Sequence, residues 1–486
     1  MVACACALAA NVLQRPASLV LPLKHNMAAI GKRSACDLHY EVGVNDDGLI
    51  QYLNLTYYND CGCTYNDTCG PGIANRIQNM YDSTRYNITG FSVLTDKPSN
   101  TWCRAPASTE GVAVMEHIME RIAHITKKDP IEVRITNLAA KDAVLKEMIA
   151  TFKMETNYDD RVSEIAKHNK ENAWKKRALK LSLMSYPITF YGNRPVTISV
   201  YHADGSVLIS HGGIEMGQGI NTKVAQVCAY ELMIPLSKVT VKGSDSFVSP
   251  NAMVSSGSIT TECIAYATIK ACKELLNRLE PSRNELVDPT WEEVVKKSFE
   301  NNVNLQASWM TSPSDSLMGY DVYGVCFTEI CLDVLTGQHQ ILRVDILEDT
   351  GQSLNPNLDV GQIEGAFIMG VGMWTSEHLI YSKSGRLLTD CTWTYKPPGA
   401  LDIPIDFRIS FRRNSKNDTG ILRSKATSEP ALVLSVGVTF ALHEAILEAR
   451  KEFGYEDTEW LNIDTPYCVE NIIKAIAPKI QSYKLN

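Results

Sequence analysis

The chain has 486 residues and a net charge of −8, from 47 Lys and Arg side chains against 55 Asp and Glu side chains. Its hydrophobic content of 45% and charged content of 21% are ordinary for a globular protein, and its length suggests about three folding units. These values exclude an intrinsically disordered chain, a collagen-like rod and a nucleic-acid-binding protein that depends on excess positive charge.

The first 60 residues predict a helix, a short strand and a hairpin. The apolar stretch 1–13 has no basic residue before it, so we interpret it as a buried helix and not as a signal peptide. Arg15 and Pro16 end this helix, and residues 18–23 are predicted to form a short strand. The sequence Asp46-Asp47-Gly48 lies between alternating apolar and polar residues, which predicts a hairpin turn. No run of 18 apolar residues occurs, so we expect no membrane span.

A long amphipathic helix is predicted after Arg104, because apolar residues recur there at steps of three and four. These residues are Val112, Met115, Ile118, Met119, Ile122 and Ile125. Ser108 is the predicted N-cap of this helix. The charged stretch 159–180 predicts a solvated helix that buries Trp174, followed by a lobe boundary near Tyr186.

The second half of the chain predicts alternating strands and helices. Hairpin turns are predicted at Asp204-Gly205, at Thr336-Gly337 and near Ser384-Gly385. Helices are predicted at 222–232, 265–279, 291–299, 361–372 and 432–453. The chain is therefore predicted to be mixed α and β.

The 14 cysteines are interpreted as buried free thiols, because about 3% cysteine is well below the density of small disulfide-stapled domains. Cys61, Cys63 and Cys69 form the closest cluster. They lack a second pair at zinc-site spacing, so we expect no metal there.

Four short segments have small or polar residues where a predicted helix begins. They are 104–111, 212–219, 255–261 and 424–430. Free backbone N–H groups and the positive end of the helix dipole can hold an anion such as a phosphate at these points. Four such loops favour one large, polyanionic ligand.

Each segment taken alone also has an ordinary structural explanation. The glycines of GGIEMGQG can form a simple tight turn, and their spacing fits neither a Rossmann motif nor a Walker loop. Gln218, between two glycines, can both donate to and accept from a ligand. Glu429, beside an apolar helix start, is either a tuned general base or an acid that the helix dipole stabilises.

The four segments, together with DVGQIEGAF at 359–367, resemble the molybdenum hydroxylases. The chain is similar to the molybdopterin-binding part of the xanthine dehydrogenase and aldehyde oxidase family, and most similar to insect-type aldehyde oxidases. The stretches EMGQGINTKVAQ, DVGQIEGAF and RSKATSEPAL carry this resemblance, which runs from Met1 to about Ala477. It implies an α+β fold of two elongated mixed α/β lobes, at 1–185 and 186–486.

The resemblance implies a molybdenum cofactor, molybdopterin, for which the cytosine dinucleotide form is one option. The metal is then held by the dithiolene of the cofactor and by no protein side chain. Carried over residue by residue, Glu429 is the catalytic residue. Arg104 is placed next to the metal and Gln362 at the pterin edge. The residues implied to bind the cofactor are Arg104, Met216, Gly217, Gln218, Gly219, Gly257, Ser258, Ile259, Thr260, Gln362 and Thr427.

The chain departs from the family pattern within these segments. Ser428 and Ala107 stand where glycine is usual, and Ala431 stands where a second proline is common. We expect the Cβ and hydroxyl of Ser428 to crowd the cofactor or strain the turn. The family's two 2Fe–2S clusters, its FAD domain and a glycine-rich GGGFGGK-like segment are absent from this sequence. We therefore expect a fragment, a truncated gene model or a subunit that needs a partner.

The function expected from the resemblance is the oxidation of aldehydes to carboxylic acids, with water as the oxygen source and Glu429 as the general base. The alternatives are a xanthine or purine hydroxylase and a catalytically inactive paralogue. Pro106 stands where purine-oxidising members have a phenylalanine. No arginine aligns cleanly with their purine-orienting one, and Arg76 is the only nearby candidate.

The resemblance implies a small aldehyde or an N-heterocycle as the substrate and a second copy of the chain as the partner. We expect neither a nucleic acid nor a membrane as a partner. The free cysteines and the lack of a signal peptide favour the cytosol as the compartment.

Overall fold

The computed structural model describes residues 2–78, 80–315, 317–456 and 460–479. The α-helices are, in chain order, α1 (Val2–Leu13), α2 (Leu23–Ala29), α3 (Gly70–Ile77), α4 (Ser108–Thr126), α5 (Pro130–Asn137), α6 (Val144–Glu155), α7 (Tyr158–Glu171), α8 (Ile220–Leu232), α9 (Thr260–Asn284), α10 (Trp291–Glu300), α11 (Pro356–Thr375), α12 (Ser428–Leu434), α13 (Gly437–Glu452) and α14 (Val469–Ile476). The strands are β1 (Cys36–Val44), β2 (Ile50–Gly62), β3 (Tyr86–Leu94), β4 (Lys175–Ile188), β5 (Arg194–Val200), β6 (Val207–His211), β7 (Val239–Val241), β8 (Gln306–Thr311), β9 (Tyr320–Asp333), β10 (His339–Glu348) and β11 (Asp406–Phe411).

These strands form three mixed sheets, whose orders are β1-β2-β3, β11-β10-β9-β4 and β7-β6-β5-β8. The pairs β2–β3, β10–β11 and β6–β7 are parallel. The other pairs are antiparallel. Helices pack against these sheets, which confirms the predicted mixed α/β fold.

The pairing of β4 with β9 organises the chain. The two strands are antiparallel from Lys175–Asp333 to Ile188–Tyr320, although they lie far apart in the sequence. The segment between them has its own apolar core, from Val196 to Ala307. The main core takes residues from both sides of that segment. The lobe boundary predicted at 185/186 falls inside β4, and the division into lobes at 1–185 and 186–486 stays a prediction.

The helix predicted after Arg104 is confirmed as α4, and its apolar face packs in the main core. Five of the six apolar residues named from the sequence are buried, whereas Ile125 is exposed. The predicted N-cap is wrong by one residue. Ala107 precedes the helix, and Ser108 is the first helical residue and makes no capping bond.

A buried ion cluster fixes α4 to its neighbours. Arg134 on α5 lies 3.0 Å from Glu116 and 2.9 Å from Glu120, and all three side chains are buried. Glu116 also accepts a hydrogen bond from the backbone N–H of Leu183 on β4. Because buried charges need such partners, this cluster specifies how α4 sits against β4.

Three of the predicted hairpins are confirmed, with turns at 46–48, 204–205 and 336–337. The hairpin near Ser384-Gly385 is wrong in part. The chain turns there, but only an isolated bridge between Tyr381 and Leu387 joins the two sides. An isolated bridge lacks the ladder of hydrogen bonds that makes a strand pair stable.

Four further predictions need correction. The first helix forms as α1, but none of its residues is buried, because local propensity fixes a helix and not its packing. No strand forms at 18–23, and α2 begins at Leu23. The solvated helix ends at Glu171, so Trp174 lies outside it and is exposed. The helix predicted at 432–453 is split between Leu434 and Gly437, where the Ser435 hydroxyl donates to the Leu432 carbonyl.

Residues Ser428–Glu452 together are long and apolar enough to cross a membrane by length and composition alone. However, 94% of the most apolar window is buried inside the protein, so these side chains contact other parts of the fold.

All 14 cysteines are free, as expected, but only six of them are buried.

Candidate functional site

The four segments singled out from the sequence meet at one cavity of about 960 Å³. The starts of α8, α9 and α12 and the segment before α4 surround it, and α11 closes one side. The predicted site residues that line it are Arg104, Met216, Gln218, Gly257, Ser258, Thr260, Gln362, Thr427 and Glu429. Gly217, Gly219 and Ile259 belong to the same loops but do not line the cavity.

Arg104 links two of these segments. Its guanidinium donates a hydrogen bond of 3.0 Å to Gln362 Oε1 on α11 and lies 3.3 Å from the Sδ of Met369. Burial lowers the pKa of Arg104 below its ordinary value, and the carboxylate of Glu429 opposes this effect. Arg104 therefore supplies a partly buried positive charge to the cavity wall.

The turn after Arg104 is strained. Ala105 and Ala107 both have positive φ angles, of 57° and 63°, which L-residues with a Cβ rarely adopt. Ala107 stands where glycine is usual in the family, and glycine would suit this backbone better.

The loop from Glu215 to Gly219 differs from the expectation in one respect. Its backbone N–H groups were expected to face a cofactor, but Gly217 and Gly219 both donate to Glu215 Oε1 at 2.9 Å. The Met216 N–H donates to Gln218 Oε1 at 2.6 Å. The Gln362 amide donates to the Gly217 carbonyl at 3.1 Å. This loop is therefore held by its own side chains, and it presents the side chains of Met216 and Gln218 to the cavity.

The second loop, at 255–261, uses only part of its backbone donors: the Ser256 N–H donates to Thr260 Oγ1 at 3.2 Å, whereas no described residue accepts from the N–H groups of Gly257 and Ser258. Gly257 and Ser258 have φ angles of +67° and +57°, which turn the chain into the first turn of α9. A Cβ on Gly257 would lie 2.8 Å from the Tyr191 hydroxyl, so a side chain does not fit there. The side chain of Ile259 is wholly buried in the main core, so this residue can contribute only its backbone. The first amides of α9 have no acceptor within the helix, which suits an anion.

Glu429 lies in the first turn of α12 and is half-buried. Its Oε2 accepts a hydrogen bond from the hydroxyl of Tyr186 on β4. Ser428 has no positive φ, so the expected strain of this turn is absent, and its Oγ lies 3.4 Å from Ser258 Oγ. Its hydroxyl does line the cavity, where it takes up space that a glycine would leave free.

A network in the cavity wall joins α8, α11 and the segment that carries Glu429. Asp359 on α11 accepts from Lys223 of α8 at 2.7 Å, from Ser353 at 2.5 Å and from Thr427 at 3.4 Å. Asp359 lies within DVGQIEGAF, but neither it nor Lys223 was predicted from the sequence to have a role. This network sets the distance between α8, α11 and the segment that carries Glu429.

Glu262 is a second residue that the sequence analysis did not assign to the site. It is buried in the first turn of α9 and accepts a hydrogen bond of 2.5 Å from the Tyr320 hydroxyl. Burial raises the pKa of Glu262 to about 7. Its only sequence signal was its place after a run of hydroxyl residues, which also fits an ordinary helix start.

The charged lining of the cavity fits an anionic cofactor. Arg76, Arg104, Lys223 and Lys425 line it, and so do the residues 260–262 of the first turn of α9, where the amides of a helix have no acceptor within the helix. Within the described ranges, no group of three or more His, Cys, Asp or Glu side chains could hold a metal ion, Cys61, Cys63 and Cys69 included.

Comparison with known families gives two matches that together span most of the chain. Residues 151–404 and residues 1–138 each match a family model described as a molybdopterin cofactor-binding domain.

Curated relatives carry two different names. The chain is 33% identical to xanthine dehydrogenase of Drosophila subobscura, over 92% of this chain and 35% of the relative. It is 33% identical to aldehyde oxidase 1 of Bos taurus, over 97% of this chain and 37% of the relative. The chain thus spans little more than a third of the length of these relatives.

Solved structures share the fold at low sequence identity. Quinoline 2-oxidoreductase from Pseudomonas putida 86 matches with a TM-score of 0.85 and 18% identity, over 97% of this chain and 65% of that chain. Aldehyde oxidoreductase from Desulfovibrio gigas matches with a TM-score of 0.81 and 19% identity, over 96% of this chain and 52% of that chain.

Proposed function

The chain belongs to the molybdenum hydroxylase family that includes xanthine dehydrogenase and aldehyde oxidase, and we propose on this basis that it oxidises aldehydes to carboxylic acids with water as the oxygen source. The observation that carries the proposal is Glu429, a carboxylate at the wall of a cavity that also holds Arg104 and the open amides of α9.

Molybdopterin, in its simple form or as its cytosine dinucleotide, would supply the two-electron redox chemistry and the metal. The loop residues Gly257 and Ser258, together with Thr260 at the start of α9, would hold its phosphate through backbone N–H groups. Gln218 and Gln362 would pair with its polar edges, because a side-chain amide both donates and accepts. Arg104 would offset negative charge close to the reacting atoms.

Glu429 would act as the general base. Its Oε1 accepts no hydrogen bond from any other described residue, whereas Oε2 is held by Tyr186. A carboxylate fixed in this way can take a proton at Oε1 from the oxygen nucleophile while the aldehyde carbon is attacked. The apolar core behind α12 keeps bulk water away from this side of the carboxylate.

The choice of aldehydes over purines is supported by the cavity wall next to Arg104. Pro106 lines the cavity where the family resemblance places a phenylalanine in purine-oxidising members. A flat purine would lose that stacking partner, whereas a small aldehyde needs none. The runner-up proposals are a xanthine or purine hydroxylase and an inactive paralogue.

The complete enzyme would require more than this chain. Electrons would leave through two 2Fe–2S clusters and FAD held outside these residues, and the resemblance also supports a homodimer.

The test is a Glu429→Gln variant of the intact, cofactor-loaded enzyme, assayed with a panel of aromatic and aliphatic aldehydes, with xanthine and with an artificial electron acceptor. General-base catalysis contributes about 10²- to 10⁴-fold, so we expect aldehyde kcat to fall by this factor. Glu377→Gln is the matched control, since Glu377 also accepts from a tyrosine, Tyr395, but does not line the cavity.

The outcomes separate the three proposals. Incorporation of oxygen from labelled water into the acid, together with loss of activity only in Glu429→Gln, supports the aldehyde oxidase. Turnover of xanthine alone would identify a purine hydroxylase. Absence of molybdenum and pterin from the intact protein would identify the inactive paralogue.

A further inference from the structure

The two oxygens of Glu429 have different surroundings. Oε2 accepts the hydroxyl of Tyr186, and no other described residue donates to Oε1. Glu429 lines the cavity, so Oε1 is the oxygen available to a bound molecule. An unanchored glutamate would sample several rotamers and would exchange the two oxygens.

Tyr186 is suited to hold one oxygen permanently. Its ring is buried, and its backbone is fixed in β4 opposite Val322 of β9. Burial raises the pKa of Tyr186 well above its ordinary value, and the charge of Glu429 adds to this effect. The phenol therefore stays protonated throughout the working pH range and remains a donor.

Arg76 lies next to Tyr186 and places a positive charge over its ring. Its guanidinium lies over the Tyr186 ring, 5.6 Å from the ring centroid. Arg76 is placed by close packing of α3 on α4, where a Cβ on Gly111 would lie 2.5 Å from the Arg76 Cβ. The positive charge over the ring makes the phenol a better donor, because it stabilises negative charge that shifts onto the ring.

We infer that Tyr186 is a positioning residue for the base, whose hydroxyl locks Glu429 Oε2 so that Oε1 alone faces the reacting atoms. This inference rests on the proposed function of Glu429. The resemblance assigned no role to Tyr186, and its apolar strand context gave no signal of one.

The hydrogen bond from Tyr186 to Glu429 Oε2 has measurable consequences for kcat, for KM and for the pH profile. Loss of the donor frees the carboxylate to rotate, so we expect kcat to fall by about 10- to 100-fold, as is typical of a hydrogen bond to a charged group. KM should change less than about twofold, because the Tyr186 hydroxyl is used on Glu429 and not on the substrate. Loss of a donor to the charged form should also move the acid limb of kcat to higher pH.

The experiment is a Tyr186→Phe variant of the intact, cofactor-loaded enzyme, which keeps the ring, its packing and the contact with Arg76. Tyr395→Phe is the matched control, because it removes an equivalent tyrosine–glutamate hydrogen bond outside the cavity. A second readout is the infrared titration of the carboxyl band that disappears in Glu429→Gln, measured with and without cofactor.

The expected result is a lower kcat, an unchanged KM and upward shifts of both the acid limb and the infrared midpoint in Tyr186→Phe alone. Incorporation of fluorotyrosine at 186, a stronger donor, should shift the acid limb of kcat to lower pH.

If Glu429→Gln is inactive while Tyr186→Phe keeps the parental kcat and pH profile, the positioning role is wrong and the proposed function stands. If Glu429→Gln remains active, the proposed function itself is wrong. Reduced stability or cofactor content of Tyr186→Phe with no shift of limb or midpoint would show a structural role only.

Discussion

The ion pair between Lys223 and Asp359 offers a quantitative test of how the site is assembled. The pair joins α8 to α11, with a distance of 2.7 Å between Nζ and Oδ1 and side-chain exposures of only 14% and 2%. At an effective dielectric constant of about 20, two unit charges at this distance attract by about 6 kcal/mol. Relaxation of the surroundings in the single variants reduces the coupling that a double-mutant cycle measures below this Coulomb value, so we expect a coupling of about 2 kcal/mol.

The assay is a double-mutant cycle with Lys223→Met, Asp359→Asn and the double variant, in which urea unfolding gives the free energy of unfolding of each. The single variants should each lose about 2–4 kcal/mol, because each leaves one buried charge without its partner. The double variant should lose less free energy of unfolding than the two single variants lose together.

The chain provides its own control pair. Glu470 and Lys474 lie at the same distance of 2.7 Å, but their side chains are 73% and 69% exposed. Water and salt screen such a pair, so its coupling should be much smaller than that of the buried pair. If the Lys223–Asp359 coupling were as small as that of Glu470–Lys474, burial would not be what strengthens the pair and the reasoning would be refuted.

Two further predictions concern single residues. Ala107→Gly should raise the free energy of unfolding by about 0.5–1 kcal/mol, because relief of the positive φ exceeds the extra chain entropy of glycine; a loss of stability in urea unfolding would contradict this. Glu262 holds a proton in the folded state up to a pKa of about 7, against an ordinary value of 4.5, so stability should fall as pH rises between these values. Glu262→Gln should therefore be about 3 kcal/mol more stable to unfolding than the parent at pH 8 and as stable as the parent near pH 4. If the variant and the parent differed in stability by the same amount at pH 4 and pH 8, this explanation would be excluded.

The sequence predicted well those elements whose pattern is local. The apolar spacing after Arg104 predicted α4, and the Asp-Gly and Thr-Gly turns predicted the hairpins at 46–48, 204–205 and 336–337. The predictions that failed concern packing. Neither the exposure of α1 nor that of Trp174 follows from the residues themselves, because burial depends on which other elements lie nearby.

The candidate site also contains residues that the sequence identified and residues that only the structure revealed. Short motifs with small residues at helix starts identified Arg104, Gln218, Gln362 and Glu429, since such motifs are contiguous in the chain. Nothing in the sequence indicated that Tyr186 holds Glu429 or that Glu262 is buried with an altered pKa. These effects arise where α12 meets β4, at Tyr186 and Glu429, and where α9 meets β9, at Tyr320 and Glu262.

The sequence by itself therefore determined α4, three of the hairpins, the loops that meet at the cavity and the family to which the chain belongs. Only the tertiary structure decided which oxygen of Glu429 is anchored, which amides are already used by Glu215 and which charges are buried as pairs. The physical reason is that hydrogen bonds and desolvation act over a few ångströms in space. Residues distant in the chain reach that range only through folding.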